Sequence, residues 1–159
     1  MSLSSFCCPV KLCYVREGSR ALYEEAGLHY ATPCSAGMDL RACFEAESLC
    51  LPAGHRALIP TGIAIQPATE GIAAFVYSRS GLGAKQGLTV AQGVGLIDPD
   101  YTGEIMVMLL NTSSQPHELR RGERMAQLVF QPYMHAELQT VPALTPTTRG
   151  SGGFGHTGK

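Results

Sequence analysis

Apolar and polar positions alternate along this chain in short blocks, separated by glycine and proline. Residues 10–15, 57–65, 71–77, 104–110, 125–131 and 136–141 each read as a β-strand. The 57–65 block contains Pro60 and Gly62, so its strand is predicted to be bent or to lie at an edge. Block 104–110 is apolar on both faces, the pattern of a strand covered on both sides. Helical patterning is sparse; residues 19–26 and the segment after Ser80 are the two candidates. Many short strands and few helices predict an all-β sandwich or barrel. From residue 140 the chain holds two prolines, five glycines and no acidic group. This divides it into a single β domain, residues 1–139, and a glycine-rich C-terminal arm, residues 140–159. Such an arm is mobile unless something binds it.

The length of 159 residues suits one domain with a real core. A net charge of −1 gives no electrostatic footing for nucleic acid or an anionic membrane, so neither is an expected partner. Charged residues make up 16%, against roughly 25% in an average domain, which points to buried subunit interfaces. No apolar run is longer than that of residues 105–110, which is too short to span a bilayer. No charged region precedes an apolar stretch at the N-terminus, so no secretion signal is read. Six cysteines, Cys7, Cys8, Cys13, Cys34, Cys43 and Cys50, form no CxxC pair and are followed by no histidine at zinc-finger spacing. They read as reduced, mostly buried thiols of a cytoplasmic protein.

Asp39, Asp98 and Asp100 are the only aspartates. Asp98 and Asp100 share the segment Gly95-Leu96-Ile97-Asp98-Pro99-Asp100-Tyr101, directly before the most apolar strand. A carboxylate at a loop–strand junction suits a general base that activates water; Asp-Pro-Asp is also ordinary turn chemistry. Ser78-Arg79-Ser80-Gly81 follows a strand and offers backbone N–H groups, two hydroxyls and an Arg fork. That set suits a phosphate, or else a Ser-capped turn. Arg121-Gly122-Glu123-Arg124 reads as a turn before a strand. Gln127, between Ala126 and Leu128, is a satisfied sheet residue or a ligand contact. The segment Gly153–Lys159 matches GxxxxGK formally, but no Ser/Thr follows the lysine and no helix can form, so a P-loop is rejected. What remains is Phe154 among glycines, with Arg149, His156 and Thr157 nearby. An aromatic there can stack on a base while the arginine neutralises phosphate, unless the segment is a plain terminus.

The order and spacing of these pieces resemble the homotrimeric dUTPase family across nearly the whole chain. Five family motifs occur in order: Ala36–Ala42 (AGMDLRA), Ser78–Leu82 (SRSGL), Gly93–Glu104 with GLIDPDYTGE, Arg121–Gln127 (RGERMAQ), and Arg149–Gly158. The resemblance implies a distorted jelly-roll-like β-barrel and a homotrimer with shared sites. The third motif would come from one subunit, the second and fourth from a neighbour, and the arm from the remaining one. It implies Mg2+-dependent hydrolysis of dUTP to dUMP and pyrophosphate. Asp98 then matches the general base, and Asp39 a carboxylate that meets the metal through water. Arg79, Ser80 and Gly81 match phosphate ligands, and Gln127 a residue near the α-phosphate. A hairpin over residues 92–97, with Gln92, Gly95 and Ile97, would meet the uracil edge. Tyr101 would pack on deoxyribose and exclude a 2′-hydroxyl. Arg149, Gly155, His156 and Thr157 would close on the phosphates, and Phe154 would stack on uracil. Two departures stand out. Gln92 replaces an Asn frequent in bacterial relatives, and Ser78 replaces a proline. Two rivals share the fold: a dCTP deaminase, and a nucleotide-binding regulatory module without catalysis.

Overall fold

The computed structural model describes residues 7–24, 28 and 30–153. In it, block 57–65 is two strands, β4 (Arg56–Pro60) and β5 (Ile63–Pro67). The break lies at Thr61-Gly62, where Gly62 has φ +74°; a Cβ there would fall 2.5 Å from Ser19 Cβ and 2.6 Å from Cys43 Sγ. Only glycine fits such a turn at so close an approach. The other strands are β1 (Val10–Tyr14), β2 (Met38–Arg41), β3 (Ser48–Leu51), β6 (Ile72–Ser78), β7 (Leu88–Val90), β8 (Val94–Ile97), β9 (Met106–Asn111), β10 (His117–Arg120) and β11 (Arg124–Pro132). Two short helices, α1 (Ser19–Glu24) and α2 (Ser80–Gln86), stand where the sequence suggested them.

The fold is all-β, as expected. Its strands form four antiparallel sheets, β1-β5, β10-β3, β2-β11-β6-β8 and β4-β9-β7, with no single closed barrel among the described residues. Their inward faces share one core, in which Leu40, Ile63, Leu88, Leu109 and Leu128 are fully buried. Burying each such side chain contributes roughly 1.5–3 kcal/mol. The buried polar residues Thr61 and Asn111 are paired, whereas Arg41 Nε and His117 Nε2 are buried without a partner among the described residues. Thr61 Oγ1 donates to the Ile105 carbonyl (2.7 Å), and Asn111 Nδ2 to those of Leu51 and Gln115 (2.9 and 2.8 Å). Tyr23, 1% exposed, ties α1 to the core: its hydroxyl donates to the Thr61 carbonyl (3.0 Å) and accepts from the Arg41 N–H (3.0 Å).

Three expectations are corrected. Within one chain, strand β9 is fully covered on one face only. Val107, Leu109 and Asn111 are buried, whereas Met106, Met108 and Leu110 are half-buried on a face they share with exposed Leu58. Residues 136–141 form no strand and are exposed. Alternation makes a strand only beside a partner edge, and none of the described strands pairs with this segment. Of the six cysteines only Cys43 is buried; Cys8 is half-buried and the others are exposed, on the outward positions of β1 and β3 or in loops.

Tyr23→Phe removes one donor and leaves the Arg41 N–H unpaired inside the protein. It is expected to lower the unfolding free energy by roughly 1–3 kcal/mol in a denaturant titration; an unchanged midpoint would contradict this role.

Candidate active site

Strand β11 lies between β2 and β6, and its register lines up functional side chains. Gln127 pairs with Asp39 on one side and Tyr77 on the other, and Tyr77 pairs with Val94 of β8. Directly opposed residues project to the same face, so Asp39, Gln127, Tyr77 and Val94 form one row across the outward face of the sheet. A bulge in β11 between Arg124 and Ala126 shifts the phase by one residue and brings Arg124 onto that face too.

At one end of the row the side chains interlock. Asp39 Oδ1 is 2.7 Å from Arg79 Nε, and Asp39 Oδ2 is 3.1 Å from Arg124 Nη1. Arg79 Nη1 also donates to the Arg124 carbonyl (3.1 Å), and Gln127 Nε2 to the Ser78 carbonyl (3.0 Å). Two guanidinium groups face one carboxylate, so the cluster carries one net positive charge. The next residues, Ser80 and Gly81, are exposed in the first turn of α2 beside it. Ser78 is not a free hydroxyl: its Oγ accepts the Val90 N–H (2.8 Å) and links β6 to β7. One of the two hydroxyls read as phosphate ligands is thus anchored in the fold as an acceptor.

The Asp98 group lies elsewhere. Residues 91–93 are no hairpin tip, because β7 pairs with β9 and β8 with β6. They are a corner where the chain passes from one sheet to another, made possible by Gly93 at φ +82°. Exposed Gln92 directs its side-chain nitrogen to 3.4 Å from where a Cβ on buried Gly95 would stand, and Ile97 packs against the core. Asp98 follows β8 and is exposed. Its carbonyl accepts the Tyr101 N–H (3.1 Å), so the base candidate is also part of a turn. The Tyr101 hydroxyl donates to the Glu104 carbonyl (2.9 Å). A cavity of about 580 Å3 is lined by Asp98, Asp100, Phe75, Leu96, Tyr133 and His135.

The structure therefore brings Asp39, Arg79 and Gln127 together, with Ser80 and Gly81 beside them. Ile97, Asp98 and Tyr101 line a second place at the end of β8, whereas Gln92 and Gly95 stand together nearer its start. Asp98 stands three strand spacings across the sheet from Asp39 and four residues further along, a separation of about 20 Å. Arg149 sits in an exposed turn, its Nε bonded to the Gly152 carbonyl (2.9 Å). Phe154, Gly155, His156 and Thr157 lie outside the described residues. Sequence reading missed Arg124, which it took only for a turn residue, because the bulge that turns it toward Asp39 leaves no mark on the alternation.

The sheet arrangement is shared with solved all-β structures. The dUTPase of Staphylococcus bacteriophage 80alpha, solved with dUPNHPP, superposes with a TM-score of 0.76 at 24% identity, over 95% of this chain and 99% of that one. A mutant dUTPase from phage phi11 of S. aureus, which coordinates a structural Mg(II) ion, gives a TM-score of 0.72 at 21% identity, over 87% and 99%. The chain belongs to the dUTPase family, whose family model matches residues 25–158. It is 49% identical over 130 residues to the deoxyuridine 5'-triphosphate nucleotidohydrolase of Pectobacterium carotovorum subsp. carotovorum (strain PC1), which covers 82% of this chain and 85% of that protein.

The Asp39 ion pairs are partly exposed and on the outer face of the sheet, where such pairs contribute modestly to stability. Asp39→Asn is expected to lower the unfolding free energy by no more than about 1 kcal/mol. A larger loss would assign the cluster to holding the fold rather than a ligand.

Proposed function

We propose that this protein hydrolyses dUTP to dUMP and pyrophosphate, by attack of water on the α-phosphorus, in sites formed between copies of the chain. The observation that carries the reading is the split on one sheet face. A guanidinium-rich cluster suited to a triphosphate stands about 20 Å from a turn that carries a carboxylate and an aromatic ring. A base must lie within hydrogen-bond reach of the water it deprotonates. One chain cannot bring Asp98 to a phosphate bound at its own Arg79, but a second copy can. The uncovered apolar face of Leu58, Met106, Met108 and Leu110, and the low charged fraction, support a homotrimer held by such faces.

In this reading Asp98 takes the proton of the attacking water. Arg79, with the N-terminal turn of α2 at Ser80 and Gly81, binds phosphate oxygens as they gain charge. Gln127 reaches the α-phosphate. Gln92, Gly95 and Ile97 set out the uracil edge, where N3–H and O4 are the reverse of cytosine's pattern; cytosine would leave buried polar groups unpaired. Tyr101 closes the space a 2′-hydroxyl needs. From the arm, Arg149, Gly155, His156 and Thr157 cover the phosphates and Phe154 stacks on the base.

The donor set suits Mg2+ carried by the substrate. Asp39 is a lone carboxylate already shared by two arginines, and no group of three or more metal-ligating side chains occurs among the described residues. Such a site offers no cage; it offers one contact to the water shell of an ion held by phosphate oxygens. When bound, the ion neutralises triphosphate charge and fixes its geometry. No helix among the described residues is long and apolar enough to cross a membrane. The exposed cysteines fit the reducing cytoplasm.

Pyrophosphate release is expected from dUTP and not from dCTP, dTTP or UTP. Asp98→Asn should lower kcat by about 10²–10⁴-fold with the fold intact. Ammonia release from dCTP would support a deaminase instead, and tight dUTP binding without turnover a regulatory module. Removal of residues 149–159 is expected to leave a trimer in light scattering and to lower kcat, because the arm closes the site without building the core. Full kcat in the truncated protein would refute that role.

A further inference from the structure

We infer that Arg16, in the segment after β1, is a positioning residue that sets discrimination between deoxyribo- and ribonucleotides. Its route is the contact chain Arg16–Glu104–Tyr101, so the inference rests on the proposed role of Tyr101.

The chain can be followed atom by atom. Arg16 Nε lies 2.7 Å from Glu104 Oε1 and 2.9 Å from Oε2. Glu104 Oε1 also accepts the Gly62 N–H (2.7 Å), at the break between β4 and β5. The Glu104 side chain is 17% exposed, so its charge is partly withdrawn from water and depends on these partners. The main-chain carbonyl of the same residue accepts the Tyr101 hydroxyl (2.9 Å). The ring of Tyr101 meanwhile lies over Gly103, where a Cβ would fall 2.6 Å from its Oη and 2.7 Å from its Cζ. Peptide 103–104 is therefore the floor on which the ring rests. Arg16 and Gly62 hold the side chain that fixes one end of that floor. The Ile105 N–H, bonded to the Ile63 carbonyl (2.9 Å), holds the next residue.

A steric gate works only while its wall cannot retreat. Tyr101 is 45% exposed and has no packed core behind it, so its floor supplies the rigidity. Without the ion pair, Glu104 retains Gly62 but loses its charged partner. The floor then gains freedom, and the ring can yield to a 2′-hydroxyl. Substrate without that hydroxyl is less affected, because it asks nothing of the ring's exact place. The signature is a change in selectivity rather than a general loss of rate.

The experiment compares kcat/KM for dUTP and UTP in wild type, Arg16→Met, Glu104→Gln, the double variant, and Arg20→Met as a control. Arg20 pairs with Glu24 and stacks on Tyr14, away from this loop. Arg16→Met is expected to reduce the dUTP:UTP preference about tenfold, the scale of one charge-assisted hydrogen bond. Glu104→Gln, which keeps a group able to accept the Gly62 N–H, should give a similar loss and covers the case in which Arg16→Met does not fold. The double variant should lose no more than either single one, because both break the same link. Arg20→Met should leave the preference unchanged. An unaltered preference in the folded Arg16 or Glu104 variants, additive losses in the double variant, or an equal loss in Arg20→Met would each overturn the inference. A wild type that does not hydrolyse dUTP, or does not reject UTP, would instead overturn the proposed function.

Discussion

Strand β11 is held on both sides, and its register against β2 and β6 determines where the charges of this molecule stand. Pairing of Gln127 with Asp39 and Tyr77 sets one row of side chains, and the bulge after Arg124 adds a second guanidinium to it. A slip of one residue would send Gln127 into the core and Leu128 into solvent. Leu128 is fully buried, so the core that stabilises the sheet also locks the polar row in place. The cluster is then free to be poor in stabilising energy. Its ion pairs are part-exposed, and the framework beneath them does not depend on them.

In the proposed reading, the same rigidity creates a need for partners. A sheet that keeps Asp39 and Asp98 about 20 Å apart keeps them so in every copy of the chain. The proposed homotrimer answers that need: in a closed ring each copy would offer its Arg79 end to one neighbour and its Asp98 end to the other. Hydrophobic faces left open on β4 and β9 fit that arrangement. Family membership and the two-centre layout thus lead to the same reading by separate routes.

Much of this was legible in the sequence, for definable reasons. Alternation marked β1, β6 and β11, and the chemistry of Asp98, Arg79 and Gln127 was visible from residue type and spacing. What could not be read depended on partners. Strands β3 and β10 are four residues each, too short to announce themselves, and exist by pairing with one another. Block 57–65 looked continuous because alternation does not show that Gly62 must pass within van der Waals contact of Ser19 and Cys43. Segment 136–141 has the right alternation but no edge to join. The bulge at Arg124 and the Arg16–Glu104 pair join residues 85 and 88 positions apart from their partners Asp39 and Glu104, a distance over which spacing carries no signal.

The claim that each site draws Asp98 and Arg79 from different chains is tested most directly by complementation. Asp98→Asn and Arg79→Ala chains, each inactive alone, are unfolded together, refolded as a mixture and assayed with dUTP. If Asp98 and Arg79 serve a site from different chains, random mixing restores about one quarter of wild-type activity, the share of interfaces that receive both intact groups. Activity that stays at the level of the separate variants, in a mixture shown to contain hybrid oligomers, would contradict the account.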